Sequence, residues 1–388
     1  MLKFKLLFLF IASLLLVGCS EDPSSIGSDL LSQDLIDVNV LDSQTDSLSQ
    51  TSSSFLSTLQ LSGSTKLFLG KTNNIDEASI LIKFQYSFED TIKTAFLNNS
   101  LTIRSAYVEL IKTYSVGTGS LDYTVHKINS DWSHSTFSGD SLSSLQFDAQ
   151  DISSNRRVSS NDSVYSFDVD IPSVQKWMRE AADSTVSGDK GIYIQPTSNS
   201  TKIVGFQALS STVTTIPRLY VVVEKSGAYV DTLSFISTMD VSGIKATLPQ
   251  SSENIFVQGG TEIKSKLRFD LSKLPELAIV NQAELTLTFD STASLNSVTS
   301  NIYAYFVADS ANQDSLSSTY VLLQKSGNVL SGDISYLVQR WLKEKINYGL
   351  LLVPQNNAET VDLFAIRGSN SNVYSERPHL KITYTNKK

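Results

Sequence analysis

Ser265-Lys266-Leu267-Arg268-Phe269-Asp270-Leu271-Ser272 alternates polar with apolar side chains, and Ala283-Glu284-Leu285-Thr286-Leu287-Thr288-Phe289 does so again. Alternation with a period of two puts all the apolar groups on one face, the pattern of a half-buried β-strand. Further along, Asp333-Ile334-Ser335-Tyr336-Leu337-Val338-Gln339-Arg340-Trp341-Leu342 changes to helical spacing. Tyr348-Gly349-Leu350-Leu351-Leu352-Val353-Pro354 is a short apolar strand. Arg377-Pro378-His379-Leu380-Lys381-Ile382-Thr383-Tyr384 closes the series with a second alternating one.

The same series occurs earlier in the same order. Ile80-Leu81-Ile82-Lys83-Phe84 corresponds to the first strand and Ser105-Ala106-Tyr107-Val108-Glu109-Leu110 to the second. Asp170-Ile171-Pro172-Ser173-Val174-Gln175-Lys176-Trp177-Met178 corresponds to the helix, and Lys190-Gly191-Ile192-Tyr193-Ile194-Gln195-Pro196 to the Gly-to-Pro strand. Ile216-Pro217-Arg218-Leu219-Tyr220-Val221-Val222-Val223 ends the copy. A repeat of this length is a duplicated domain and not a solenoid unit. The expected modules are residues 55–225 and 229–388, with the boundary near Ser226-Gly227-Ala228.

In each copy the Trp-bearing segment predicts one short amphipathic helix. Ile171, Val174, Trp177, Met178 and Ala181 share a face, as do Ile334, Leu337, Val338, Trp341 and Leu342. Asp170 and Asp333 stand at N-cap positions, so both tryptophans read as core anchors and both aspartates as caps. Charged residues are only 18 %, against 15 Tyr and 18 Phe, and Ser and Thr abound. Aromatic and β-branched residues favour strands, and Ser, Asn, Asp and Gly the turns between them. The expectation is an all-β protein built from β-sandwiches.

These framework residues resemble the DNRLRE family of extracellular modules. The shared elements are the Arg-Phe-Asp-Leu-Ser strand at 268–272, the Ala-x-Leu-x-Leu strand at 283–287, the Asp-to-Trp helix, the Gly-to-Pro strand and the Pro-x-Leu-x-Ile-x-Tyr ending at 378–384. The resemblance implies two tandem jelly-roll β-sandwiches that bind carbohydrate. It spans Phe68 to Glu224 and Phe256 to Tyr384, while the run that names the family occurs in neither copy.

At the N-terminus, Lys3 and Lys5 precede an apolar run from Leu6 to Val17, the layout of a secretory signal and too short for a comfortable membrane span. Leu16-Val17-Gly18-Cys19 resembles a bacterial lipobox, which implies cleavage after residue 18 and lipid on Cys19, with palmitate among the acyl chains. Cys19 is the only cysteine, so no internal disulfide can form. Ser20-Glu21-Asp22 is similar to the acidic export signal of Bacteroidetes lipoproteins, and Ser25-Ile26-Gly27-Ser28-Asp29-Leu30-Leu31 to an uncharacterised lipoprotein group of that lineage. Repeated Asp-Ser/Thr pairs, as at Asp46 and Asp162, resemble O-glycosylation motifs of its exported proteins. These likenesses imply an outer-membrane lipoprotein at the cell surface. Residues 19–54 read as a polar tether, although Ile36, Val38 and Val40 alternate as a first strand would. The net charge of −8, more negative once Lys3 and Lys5 are removed, argues against nucleic acid as a partner.

Three histidines, His126, His134 and His379, lack ligand spacing, and no phosphate loop, nucleophile elbow or HExxH run occurs. The expected role is therefore binding without catalysis: polysaccharide binding or adhesion first, an envelope scaffold with a protein partner second, a polysaccharide-degrading enzyme third. Candidate ligand residues are the polar-aromatic sets Lys112, Tyr114, Tyr123, Lys127, Trp132 and His134 in the first copy, and Tyr303, Tyr305, Lys264, Lys266 and Arg268 in the second. Each is explained as well by a sheet-face residue covering its neighbours. Asp309, Asn312 and Asp314 bring oxygen donors of the kind Ca²⁺ takes into one loop, where an Asx-rich turn is the alternative.

Overall fold

A computed structural model describes residues 37–57, 59–183, 188–209, 215–295, 301–312 and 314–386. The expected leader, Cys19 and the acidic residues after it lie outside this set. The protein is all-β, with antiparallel strands curled into two jelly-roll-like sandwiches among the described residues.

The first sandwich contains β3 (Lys66–Gly70), β4 (Ile75–Phe84), β5 (Thr102–Gly117), β6 (Tyr123–Lys127), β7 (Ser153–Val158), β8 (Val164–Val169), β9 (Ile192–Pro196), β10 (Lys202–Gln207) and β11 (Arg218–Lys225). The second contains β13 (Asn254–Gln258), β14 (Ile263–Phe269), β15 (Ala278–Thr288), β16 (Ile302–Phe306), β17 (Tyr320–Ser326), β18 (Val329–Asp333), β19 (Leu350–Pro354), β20 (Leu363–Arg367) and β21 (His379–Asn386). Inward-facing Phe167, Phe206, Leu219 and Val221 fill the first core, and Phe269, Leu285, Phe306 and Phe364 the second.

Two segments join the sandwich that their place in the chain does not suggest. β12 (Tyr229–Ala246) turns back at residues 226–228, where Gly227 takes a positive φ, and pairs with β11 and then β4. The boundary expected at 225–229 is thus a hairpin turn, and the first sandwich continues to Ala246. Conversely, β1 (Val38–Asp42) pairs with β21, and β2 (Gln50–Leu56) pairs with β14. The described part of the expected tether is therefore built into the second sandwich. Few apolar residues mark it: Leu41 and Leu48 enter the second core, and serine side chains add polar bonds. Ser54 Oγ accepts from Phe256 N at 2.7 Å, and Ser242 Oγ of β12 accepts from Phe68 N at 2.7 Å at the corresponding place.

The expected helices are α2 (Ile171–Ala182) and α3 (Ser335–Glu344). Asp170 caps α2 by accepting from Ser173 N at 2.7 Å. Asp333 is not the N-cap of α3, a place taken by Ile334; it stands one residue earlier and accepts from Ser335 N at 2.8 Å. Trp177 and Trp341 are buried, while Ile171 and Ala181 lie exposed off the expected stripe. The first sandwich carries a further helix, α1 (Asp90–Leu97), which buries Ala95 and Phe96.

The sandwiches meet through shared packing of Phe68, Val116, Ile203 and Ile244 with Val361. Hydrogen bonds lock this contact. Tyr114 Oη donates to Asp362 Oδ1 at 2.6 Å and accepts from Val361 N at 3.2 Å, while Asn74 Nδ2 donates to the buried Gln258 Oε1 at 2.5 Å. At the rim, Glu359 accepts from Thr65 N at 2.8 Å and pairs with Lys66 at 3.2 Å.

Candidate functional site

Strand register decides which candidates share a surface. Lys266 lies opposite Ser53 of β2 and Leu351 of β19, Leu351 opposite Tyr305 of β16, and Tyr305 opposite Tyr320 of β17. Directly opposed residues point to the same face, so this row crosses five strands on the outside of the second sandwich. The adjoining row runs Val353, Tyr303, Leu322. Phe55 stands opposite Lys264, and Lys266 Nζ sits 4.8 Å from the centre of its ring.

Three tyrosines dominate this face. Tyr320 packs on Tyr303 at 4.8 Å and on Tyr305 at 5.1 Å between ring centres, and Tyr303 and Tyr305 are 5.8 Å apart, with mutual tilts of 46–69°. Tyr320 remains 50 % exposed, so the cluster meets water. Partial burial, with neighbouring Tyr303 and Tyr320, raises the Tyr305 phenol pKa. Beside the rings, on the neighbouring strand, lie Leu351 and Val353, both buried. Arg268 is solvent-exposed at the end of the Lys264–Lys266–Arg268 file. Lys264 is spent on structure: it pairs with Glu262 at 3.1 Å and donates to Asp314 O at 3.3 Å, pinning the loop 307–319. The sequence pointed to Tyr303 and Tyr305 but missed Tyr320 and Phe55, whose place beside them depends on pairing across the sheet.

The first-copy residues do not assemble in this way. Tyr114 is consumed in the inter-sandwich contact, where burial and the neighbouring Asp362 carboxylate drive its phenol pKa far up. Tyr123 is a buried core residue packed on Phe167, with its pKa pushed up to about 12 by burial. Lys112 is engaged with Asp162, and Lys127 with Asp148 at 3.1 Å. Trp132 donates to Lys190 O at 2.7 Å and packs against Phe137, while the adjacent His134 is exposed.

Trp132 belongs to a roof. The loop 128–152 after β6 folds over the outer sheet and buries Leu81, Tyr193 and Val241 beneath Phe137, Leu142 and Phe147. Its counterpart in the second sandwich, 307–319, is about half as long; its Val307 packs with Leu351 and Val353 beside Tyr305, while Tyr303 and Tyr305 stay partly exposed and Tyr320 exposed. Within that shorter loop, Asp309 Oδ1 accepts from Ala311 N at 2.8 Å, an Asx turn, and Asn312 O accepts from Ser315 N at 3.3 Å. Among the described residues, no group of three or more His, Cys, Asp or Glu side chains could hold a metal ion.

A second concavity of about 610 Å³ lies between the sandwiches, lined by Thr72, Asn74, Thr118, Thr247, Phe256 and Thr292 among others. Among the described residues no charged side chain lines it. Two carboxyl groups elsewhere, Asp189 and Asp240, are pushed up to about 6 by burial. Asp189 accepts from Gly191 N at 2.9 Å, and Asp240 accepts from Leu209 N at 2.8 Å and Ser237 Oγ at 3.3 Å. Both serve to hold backbone in the first sandwich. No family model matches this chain, and no curated protein matches it either.

Proposed function

We propose that this protein is a non-catalytic surface lipoprotein that binds polysaccharide through the open tyrosine face of its second sandwich. The observation that carries the reading is the cluster of Tyr303, Tyr305 and Tyr320 on an unroofed sheet, flanked by Lys266 and Arg268. Phenol rings offer an apolar face for the C–H side of a pyranose and a polar edge for its hydroxyls. Such a patch on an exposed sheet marks an interaction surface. The lipobox-like Leu16-Val17-Gly18-Cys19 supports attachment by lipid, and Ser20-Glu21-Asp22 supports display at the outer membrane surface. More than one acyl chain would make that attachment stable.

The test is retention on a panel of immobilised glycans. Tyr303→Ala with Tyr320→Ala should weaken retention on the glycan that binds by roughly tenfold to a hundredfold, about 1.4–3 kcal/mol, while leaving thermal unfolding of the first sandwich unchanged. Equal retention of parent and variant on every glycan defeats the reading. Capture of one envelope protein with no glycan retained would favour a scaffold role instead. Release of reducing or unsaturated ends would favour an enzyme. Loss of metabolic lipid labelling on Cys19→Ser tests the anchor.

A further inference from the structure

The second sandwich takes two of its strands from a distant part of the chain. The ladder of β1 runs along β21 from Val38–Thr385 to Asp42–Lys381, and that of β2 along β14 from Gln50–Phe269 to Leu56–Ile263. Leu41 and Leu48 plug the second core, each 6 % exposed, among the residues packed around Phe269 and Leu380. Polar bonds finish the seat: Ser43 Oγ accepts from Leu380 N at 2.9 Å, Asp42 meets His379 at 2.9 Å, and Ser54 bonds Ser265 at 2.8 Å.

β12 fills the corresponding seat of the first sandwich, where Lys225 faces Tyr229 across a turn of residues 226–228. In the second sandwich the matching place is where Val38 faces Thr385, and no turn joins them. The strand pair is instead tied covalently to the first sandwich through residues 57–65, where Gly63 is exposed with open space around it. Connectivity therefore holds β12 to its own sandwich, whereas β1 and β2 are held to theirs by non-covalent contacts.

We propose that residues 254–386 form an acceptor that also takes its strand pair in trans, the partner being the β1–β2 segment of a second copy of this chain. Recognition is by strand addition: main-chain ladders supply the attraction, and the two leucines and the serine bonds supply register and specificity. This inference is independent of any glycan bound on the tyrosine face.

The test uses the full chain carrying Leu41→Asp and Leu48→Asp, which cannot plug its own seat, and a fluorescent synthetic peptide spanning residues 37–57. The variant should retain the peptide at a one-to-one ratio on gel filtration. The parent, its seat filled, should retain it at least about tenfold less, as should the variant when the peptide bears the same two substitutions. Failure of the variant to bind, or equal binding of both peptides, overturns the proposal. Should the variant chain be insoluble alone, co-expression with a carrier-fused 37–57 segment decides: rescue with co-purification supports the acceptor, and no rescue overturns it.

Discussion

In the first sandwich the row Val241, Leu81, Tyr193 and His126 lies under the loop 128–152; in the second, the corresponding Ser53, Lys266, Leu351 and Tyr305 run out to Tyr320 in solvent. The registers are the same and the side chains differ. Under the roof Val241 and Leu81 stand where the open sheet has Ser53 and Lys266, Tyr193 stands where it has Leu351, and His126 where it has Tyr305, beyond which Tyr320 ends the row. Gly243 faces Ser79 where Phe55 faces Lys264, so one sandwich makes room at the position the other fills. A duplicated framework can thus keep one face as core and free the other for contact, with loop length as the switch.

The largest effect expected from exchanging these solutions is at Gly243. A Cβ there would come within 2.9 Å of both Leu142 and Phe137 of the roof. Gly243→Phe should therefore displace the loop 128–152 and cost about 3 kcal/mol, seen as a lower guanidinium midpoint. The reciprocal Phe55→Gly, at a half-covered site, should cost clearly less. Equal stabilities of the parent and Gly243→Phe would show that the roof is not packed as described.

Next in size is the contact that makes the sandwiches one body. Tyr114→Phe removes the hydroxyl that donates to the buried Asp362 and accepts from Val361 N. The expected loss is about 2 kcal/mol, with unfolding monitored by Trp177 and Trp341 fluorescence resolving into separate transitions. Coincident, unshifted transitions would mean that the remaining bonds, Asn74 to Gln258 and Thr65 to Glu359, suffice.

The smallest effect separates the sandwiches by pH. Burial raises the Asp240 carboxyl to about 6, above its ordinary 3.8. Its stabilising contribution is therefore present in full below about pH 4 and is lost as pH rises through about 6. Asp240→Asn should raise stability at pH 7.5 by about 1–2 kcal/mol and flatten the decline between these limits, leaving the part due to Asp189. Ser52 holds the corresponding place in β2, opposite Leu267 as Asp240 is opposite Ile82. Ser52→Asn should leave the pH dependence unchanged. Urea midpoints across this range measure both, and an Asp240→Asn variant no more stable than the parent at pH 7.5 would count against the burial argument.

Much of the framework was legible in the sequence. The apolar run Ile80–Phe84 and the alternation at 265–269 coincide with strands, and both tryptophan helices sit where their apolar spacing places them, although only α2 begins at its expected cap. Alternation states that a residue faces a core without saying which core, and so the placement of β1, β2 and β12 was not legible. Gln50–Ser54 looked like a tether because serine hydroxyls, not apolar side chains, tie it down. Half of the candidate surface could be read in the same way. Tyr303 and Tyr305 are two apart on one strand, whereas Tyr320 and Phe55 join them only through the ladders, and Tyr114, similar in sequence context, is turned into a domain contact.

β1 and β2 also fix the path of mechanical load. A pull on the chain from its N-terminal side is borne first by their ladders along β21 and β14, in the sandwich that bears the tyrosines. Traction between an anchor before residue 37 and anything held on that face would run through the second sandwich alone. The first sandwich, though earlier in the covalent chain, would hang outside the strained path until those strands had been stripped away.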